Sequence, residues 1–148
     1  MKLNVPYKKQ PDNYSCGAAC VKMLADYYQI KNPKTKKLYS YADIKKMCNT
    51  TIDGTEFSGI NSGFRKLGLK KRHAMLSDLE NFETPIIALI PDPEIPEEED
   101  HYIVLTGISK KGLIYHDPYY GKNKIFKIPD FFKAFPKSRP WIWAVEKR

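Results

Sequence analysis

The chain has 148 residues, of which 42% are hydrophobic and 13% aromatic, and this composition excludes a disordered protein and predicts one folded domain. The net charge of +8 would suit an anionic partner, but the lysines are scattered and no nucleic-acid-binding motif accompanies them, so we expect no nucleic acid. No apolar run approaches the roughly 18 residues of a membrane helix, and the first residues lack the apolar core of a signal peptide, so we expect neither stable membrane insertion nor secretion.

The stretch from Gln10 to Tyr28 carries the strongest chemical signal. Turn-forming residues predict a loop up to Ser15, and helical spacing of apolar residues predicts a helix from Cys16 to about position 28 or 29, with Ser15 as its N-cap. Cys16 therefore falls in the first helical turn, where unpaired N–H groups and the helix dipole favour an anionic thiolate, the nucleophilic form of cysteine. A buried structural cysteine would give the same local pattern.

Gln10 lies six residues before this cysteine. If the intervening loop folds back, the side-chain amide of Gln10 points at a substrate oxygen near the sulfur. A cysteine nucleophile combined with an amide donor is the arrangement that stabilises an oxyanion during acyl transfer.

The three cysteines also indicate the compartment. An odd number of cysteines argues against a disulfide framework and predicts a reducing, cytoplasmic environment. Cys20 and Cys48 are interpreted as core residues. A zinc site made by Cys16, Cys20 and a histidine is a weak alternative, since no second pair follows at zinc-finger spacing.

Serines are predicted to start the remaining helices of the first half. Ser40 and Ser58 are interpreted as N-caps, and Gly68 as the C-terminal stop of the helix that Ser58 begins. Ser77 starts a capping-box pattern and a short helix to about Phe82. The strand between them is predicted at Leu69–Ala74.

The second half of the chain reads as strands. A continuous apolar run predicts a strand buried on both faces, and alternating segments predict four more. The predicted strands are 85–90, 101–108, 113–117, 124–128 and 141–145, with a short helix at 129–135. Helices in about residues 1–82 and strands in about 83–148 predict an α+β fold in which a helical part packs on an antiparallel sheet.

The first hairpin of this sheet brings a histidine to an acid. With the turn centred near Lys110 and Lys111, the residue opposite His101 lies near positions 117–120, so Asp117 is predicted beside His101. A thiolate needs such a base, and the base needs an acceptor to orient it. His116 points to the other face of the strand and His73 has no acidic neighbour, so both are interpreted as structural.

The segment before His101 is unusually acidic. Residues 91–100 are predicted to form an exposed loop that ends in Glu97, Glu98, Glu99 and Asp100. Negative charges near an imidazole favour its protonated form. We therefore expect this loop to support a thiolate–imidazolium pair and to disfavour acidic substrates.

The chain resembles the papain-like cysteine peptidases that remove double-glycine leader peptides from bacteriocins, together with their stand-alone relatives. The similar segments are N-V-P-Y-K-K-Q-P-D-N-Y-S-C-G-A-A-C, G-T-E-F-S-G-I-N-S-G-F-R-K-L-G-L, H-Y-I-V-L-T-G-I and H-D-P-Y-Y-G. The resemblance implies a papain-like fold and cleavage of a peptide bond through a thioester, without a metal or cofactor. It implies Cys16 as nucleophile, His101 as general base and acid, Asp117 as its orienting group and Gln10 as oxyanion donor.

Two alternatives remain open beside hydrolysis of a peptide or protein substrate. The same scaffold would also suit a module that binds a peptide without cleaving it, or a related thiol acyltransferase. The family members best understood are parts of membrane exporters, so a separately encoded transporter is a candidate partner.

Overall fold

Both halves of the chain contain helices and strands. The computed structural model describes residues 1–95, 99–133 and 141–148. Within these residues the helices are α1 (Cys16–Tyr27), α2 (Tyr41–Met47), α3 (Phe57–Leu67), α4 (Leu76–Glu80) and α5 (Ile128–Lys133). The strands are β1 (Leu69–His73), β2 (Ile86–Pro91), β3 (Asp100–Ser109), β4 (Gly112–Asp117), β5 (Gly121–Phe126) and β6 (Trp141–Lys147).

All six strands form one antiparallel sheet in the order β1-β6-β2-β3-β4-β5. Strand β2 pairs with β3 on one side and β6 on the other, and residues of both of its faces are packed in the core, which explains why its sequence is a continuous apolar run. Strand β1 belongs to the helical half of the sequence, yet it pairs with β6 at the edge of the sheet. The predicted α+β fold is confirmed, and its two parts share this sheet.

The core lies on both faces of the sheet. Alternate residues of β2 point to opposite faces, so that Ile87 packs with the helices α1–α3 while Ile86 packs with α4 and α5. Burial of one such side chain contributes about 1.5–3 kcal/mol of transfer free energy. The sheet is therefore covered by helices on both sides, and α1 is held against β3.

Two of the predicted helix boundaries are confirmed. The Ser40 hydroxyl accepts a hydrogen bond from the Asp43 N–H at 3.1 Å, as an N-cap does. Gly68 ends α3 in the left-handed conformation with φ of 72°.

Two other helix starts were predicted too late. Helix α3 begins at Phe57, before Ser58, and α4 begins at Leu76, before Ser77. For α4 the reason is visible, since the Asp78 carboxylate accepts the Met75 N–H at 2.7 Å and so satisfies a free donor of the first turn. The serine at 77 is then not needed as a cap.

The ends of the last elements also differ from the prediction. Strand β5 runs over Gly121–Phe126, earlier than predicted, because the chain turns back directly after Asp117. Helix α5 begins at Ile128, and its predicted end at position 135 lies outside the described residues. In the described part of the chain, every helix is too short or too polar to cross a bilayer.

Candidate active site

The segment before α1 is tied to the end of strand β4 by three hydrogen bonds. The carbonyl of Val5 bonds His116 Nε2 at 2.8 Å, and the Tyr7 hydroxyl donates to the Asp117 carbonyl at 2.8 Å. The Gln10 N–H donates to the Pro118 carbonyl, also at 2.8 Å. These bonds join residues more than a hundred positions apart, and they bring the loop that leads to Cys16 to the end of the β3–β4 hairpin.

Asp12 shapes that loop. Its Oδ1 accepts the Tyr14 N–H at 3.1 Å and the Ser15 hydroxyl at 2.5 Å, and its Oδ2 lies 3.4 Å from Lys45 Nζ. Burial would raise the pKa of Asp12, but these donors and the lysine charge lower it below its usual value. Ser15 occupies the N-cap position without capping the helix through its side chain, because its hydroxyl bonds Asp12 and the Tyr41 hydroxyl instead.

Cys16 begins helix α1, as predicted, and its side chain is half-buried, whereas Cys20 and Cys48 are buried. Gly17 next to it is packed against the loop of residues 51–56. A Cβ atom at Gly17 would lie 2.9 Å from the Cβ of Thr55, which is closer than real Cβ atoms approach. The glycine therefore lets this loop come close to the start of the helix and form one wall of the cleft around Cys16.

His101 and Asp117 are in direct contact. His101 Nε2 lies 2.5 Å from Asp117 Oδ1, and the predicted position of Asp117 beside His101 is thereby confirmed. Asp117 is completely buried, and its Oδ1 also accepts the N–H groups of Tyr119 and Tyr120 at 2.9 Å each. The carboxylate thus holds the imidazole and the turn after β4 at the same time.

His101 carries a strongly raised pKa. Burial alone would lower it, but hydrogen bonds with Asp117 and with the Cys16 side chain, together with the negative charges of both groups, raise the pKa of His101 to about 10. Because His101 Nε2 is bonded to Asp117, Nδ1 is the ring nitrogen that is available to the Cys16 sulfur. This arrangement stabilises the protonated imidazole between the Cys16 side chain and the Asp117 carboxylate.

Gln10 lies in the same cleft as Cys16 and His101. Its side chain is only 5% exposed, and its Nε2 donates to the Asp12 carbonyl at 2.7 Å. Its Oε1 is buried and has no hydrogen-bond partner among the described residues. One of the two amide hydrogens therefore remains for another acceptor.

The hydrogen bond between Asp92 and Tyr120 was not predicted from the sequence. Asp92 was expected in an exposed loop, but it is 6% exposed, and its Oδ1 accepts the Tyr120 hydroxyl at 2.7 Å. The Tyr120 ring packs edge-on against His101 with ring centroids 5.9 Å apart. The available signal was an Asp-Pro pair directly after a strand, since Asp92-Pro93 follows β2 as Asp117-Pro118 ends β4.

The predicted role of the acidic loop stays a prediction, and the structure shows a different carboxylate in contact with His101. The carboxylate that raises the pKa of His101 is that of Asp117, whereas Glu99 and Asp100 are exposed and line the cleft. Glu97 and Glu98 lie outside the described residues. Asp92 is the acid of this segment whose charge interacts with His101, and its own pKa is lowered despite its burial, by the Tyr120 hydroxyl and two backbone N–H groups.

The other two histidines have structural contacts. His116 is buried, its Nδ1 accepts the Asn123 N–H at 3.1 Å, and its Nε2 therefore carries the proton that bonds Val5. Burial lowers the pKa of His116, so it is the neutral counterpart of His101. His73 packs edge-on against Trp143 on the sheet edge. Both interpretations from the sequence are confirmed.

The cleft around Cys16 has a volume of about 1070 Å³. Its walls come from the loop before α1, the segment before α3, the connection from β2 to β3 and the turn after β4. In residues 1–95, 99–133 and 141–148, no three His, Cys, Asp or Glu side chains are grouped as they would be around a metal ion.

Comparison with known proteins assigns the chain to a family. The model of the peptidase C39 family matches residues 4–138. The transport/processing ATP-binding protein ComA of Streptococcus pneumoniae is 29% identical over 125 residues, which is 83% of this chain and 16% of ComA. A lactococcin transport/processing ATP-binding protein, LcnC-like, of Lactococcus lactis is 31% identical over 117 residues, 76% of this chain and 15% of its own length. The chain thus spans about one sixth of these relatives.

Solved structures show the same fold. The peptidase domain of Streptococcus ComA superposes with a TM-score of 0.72 at 23% identity, covering 97% of this chain and 100% of the domain. A double glycine motif protease from an AMS/PCAT transporter, solved in complex with its leader peptide, superposes with a TM-score of 0.71 at 20% identity, covering 97% of this chain and 91% of that one.

Proposed function

Because the chain belongs to the peptidase C39 family of cysteine peptidases, we propose that it hydrolyses a peptide bond with Cys16 as the nucleophile, His101 as general base and acid, and Asp117 as the group that orients His101. The observation that carries this proposal is the position of His101, which contacts the Asp117 carboxylate through Nε2 and interacts with the Cys16 side chain in an open cleft.

The reaction has two steps. The Cys16 sulfur attacks the carbonyl carbon of the substrate, and His101 gives its proton to the leaving amine as the C–N bond breaks and a thioester forms. His101 then takes a proton from a water molecule, which attacks the thioester. The C–S bond breaks, the acid product leaves, and the Cys16 thiolate is restored beside the protonated His101. Asp117 keeps the ring oriented and compensates its positive charge throughout.

Gln10 is the proposed oxyanion donor. One hydrogen of its Nε2 is engaged by the Asp12 carbonyl, and the second is available to the oxygen that becomes negative during attack. The first-turn N–H groups of α1 lie beside the sulfur and add donors at the same place. The hydrogen bond from the Gln10 backbone to Pro118 holds this residue next to the His101–Asp117 pair.

The proposed substrate is a peptide with a double-glycine leader, cleaved after the glycines. Support comes from the similar protease solved with its leader peptide and from relatives described as transport/processing proteins. We place the reaction in the cytoplasm, with a membrane exporter as the candidate partner that takes the product. All three cysteines are free thiols, which suits that compartment.

A peptide library tests the function. Wild-type protein and Cys16→Ala are incubated with peptides containing Gly-Gly within varied flanking sequences, and the products are identified by mass spectrometry. We expect cleavage after Gly-Gly by the wild type and none by Cys16→Ala, with an unchanged circular dichroism spectrum. Cys48→Ala is the matched control and keeps its activity. Binding without cleavage would instead identify a peptide-binding module, and transfer to an added amine would identify an acyltransferase.

A further inference from the structure

The cleft has a charge opposite to that of the chain. The net charge of the chain is +8, yet the described residues that line the cleft include no lysine or arginine. They include six acidic side chains, which are Asp53, Glu56, Asp92, Glu94, Glu99 and Asp100.

Five of these carboxylates are available to a ligand. Asp92 is buried and bonded to Tyr120, whereas the other five are exposed and form no ion pair with any described residue. They come from two separate segments of the chain. Asp53 and Glu56 precede α3, while Glu94 and Glu99 follow β2 and Asp100 begins β3. The negative charge therefore faces the cleft from both segments.

The same cleft contains a second feature that points to a bound chain. Gln10 is 5% exposed, lines the cleft, and has a buried Oε1 without a hydrogen-bond partner among the described residues. An N–H group of a bound peptide backbone would satisfy this acceptor, which otherwise costs free energy. Exposed apolar side chains lie beside the carboxylates, among them Phe57, which stacks on Trp141 at 5.0 Å.

We propose that this cleft selects peptides that carry lysine or arginine close to the scissile bond. The inference rests on the proposed peptidase function and specifies its substrate. A cleft lined by one sign of charge raises the local concentration and association rate of oppositely charged ligands by about 10- to 1000-fold. The positive charge elsewhere on the chain repels such a peptide, so the cleft is the favoured place of contact. An acidic peptide is repelled by the cleft and attracted to the rest of the surface.

The test uses three peptides that share one Gly-Gly core and differ only in the flanking charged positions, which hold lysine, glutamine or glutamate. We expect kcat/KM to be highest for the lysine peptide, lower for the glutamine peptide and lowest for the glutamate peptide, with a total difference of about tenfold or more. The difference should arise from KM and not from kcat. The advantage of the lysine peptide shrinks as salt rises from about 0.05 to 0.5 M, because salt screens exposed charges.

One variant removes the negative charge of the five exposed carboxylates of the cleft. It combines Asp53→Asn, Glu56→Gln, Glu94→Gln, Glu99→Gln and Asp100→Asn. It should lose the preference for the lysine peptide over the glutamate peptide. The control combines Glu80→Gln, Glu83→Gln and Asp130→Asn, which are exposed outside the cleft, and keeps the preference. Equal cleavage of all three peptides by the wild type overturns the charge proposal alone, while cleavage of none of them overturns the peptidase function itself.

Discussion

His101 Nε2 lies 2.5 Å from Oδ1 of Asp117, a carboxylate that is completely buried and also bound to two backbone N–H groups. The Asp117 side chain is therefore fixed before any substrate arrives. The acidic partner and the Cys16 side chain together raise the pKa of His101 to about 10, from a usual value of 6.5.

We expect this contact to set the alkaline limit of the proposed activity. A raised pKa means that the imidazolium persists above pH 6.5 and is lost as the pH rises through about 10. In Asp117→Asn the hydrogen-bond acceptor remains but the charge is gone, so we expect the alkaline limb of kcat/KM to move down toward 6.5. The pH–rate profile measures this shift. Asp130→Asn, an exposed carboxylate, is the control, and an unmoved limb in Asp117→Asn contradicts the assignment.

Gln10 should act on the chemical step. We expect Gln10→Ala to lower kcat by about 10²- to 10³-fold with little change in KM, since it removes a donor that acts when charge develops on the oxygen. Asn13→Ala changes another amide of the cleft lining and serves as the matched control. A loss that appears in KM alone would assign Gln10 to substrate binding.

Tyr120 should stabilise the protein through Asp92. We expect Tyr120→Phe to lower the free energy of unfolding near pH 7 by about 1.5–3 kcal/mol, because a hydrogen bond to a buried charged group is lost. The pKa of Asp92 is lowered in the folded state, so its contribution is present above pH 3.8 and declines as the pH falls through the folded value. The difference between the variant and the wild type therefore shrinks in acid.

The matched control for this pair is Tyr119→Phe, since Tyr119 is 48% exposed. Urea unfolding at neutral and acid pH measures both variants, and Tyr119→Phe should stay within about 0.5 kcal/mol of the wild type. Equal stability of the two variants at neutral pH would show that the Tyr120–Asp92 bond adds nothing.

His116 should destabilise the protein in acid. Burial lowers its pKa below 6.5, so the neutral ring contributes stability above that pH, and this stability is lost as the pH falls through the folded value. We expect His116→Gln to unfold with a weaker pH dependence than the wild type between about pH 6.5 and 5. Parallel stability curves for the two proteins in this range would contradict the neutral assignment.

Local patterns in the sequence predict the parts of the site that local physics controls. A helix start fixes the place of Cys16, and the turn at Lys110 and Lys111 fixes the register that brings Asp117 to His101. Both depend on a few neighbouring residues, so both follow from the sequence.

The parts that depend on distant contacts do not follow in this way. The sequence around Asp92 predicts a loop residue, and its distant contact, with the Tyr120 hydroxyl from the turn after β4, is visible only in the structure. Strand β1 reads as an isolated segment, and its place in the sheet is decided by β6, more than seventy residues later. The start of α4 at Leu76 differs from the serine prediction because the Asp78 carboxylate satisfies a donor of the first turn, whereas α3 begins at Phe57 without a side-chain cap.

The central claim is that His101 activates Cys16. The most direct test is the rate of iodoacetamide alkylation of each cysteine near pH 7, resolved by mass spectrometry, in the wild type and in His101→Ala. Cys20 and Cys48 are buried, and burial raises the pKa of both thiols, that of Cys48 to about 12. We predict that Cys16 reacts far faster than the other two and loses most of this advantage in His101→Ala, whereas equal rates for the three cysteines, or an unchanged Cys16 rate without the imidazole, would contradict the account.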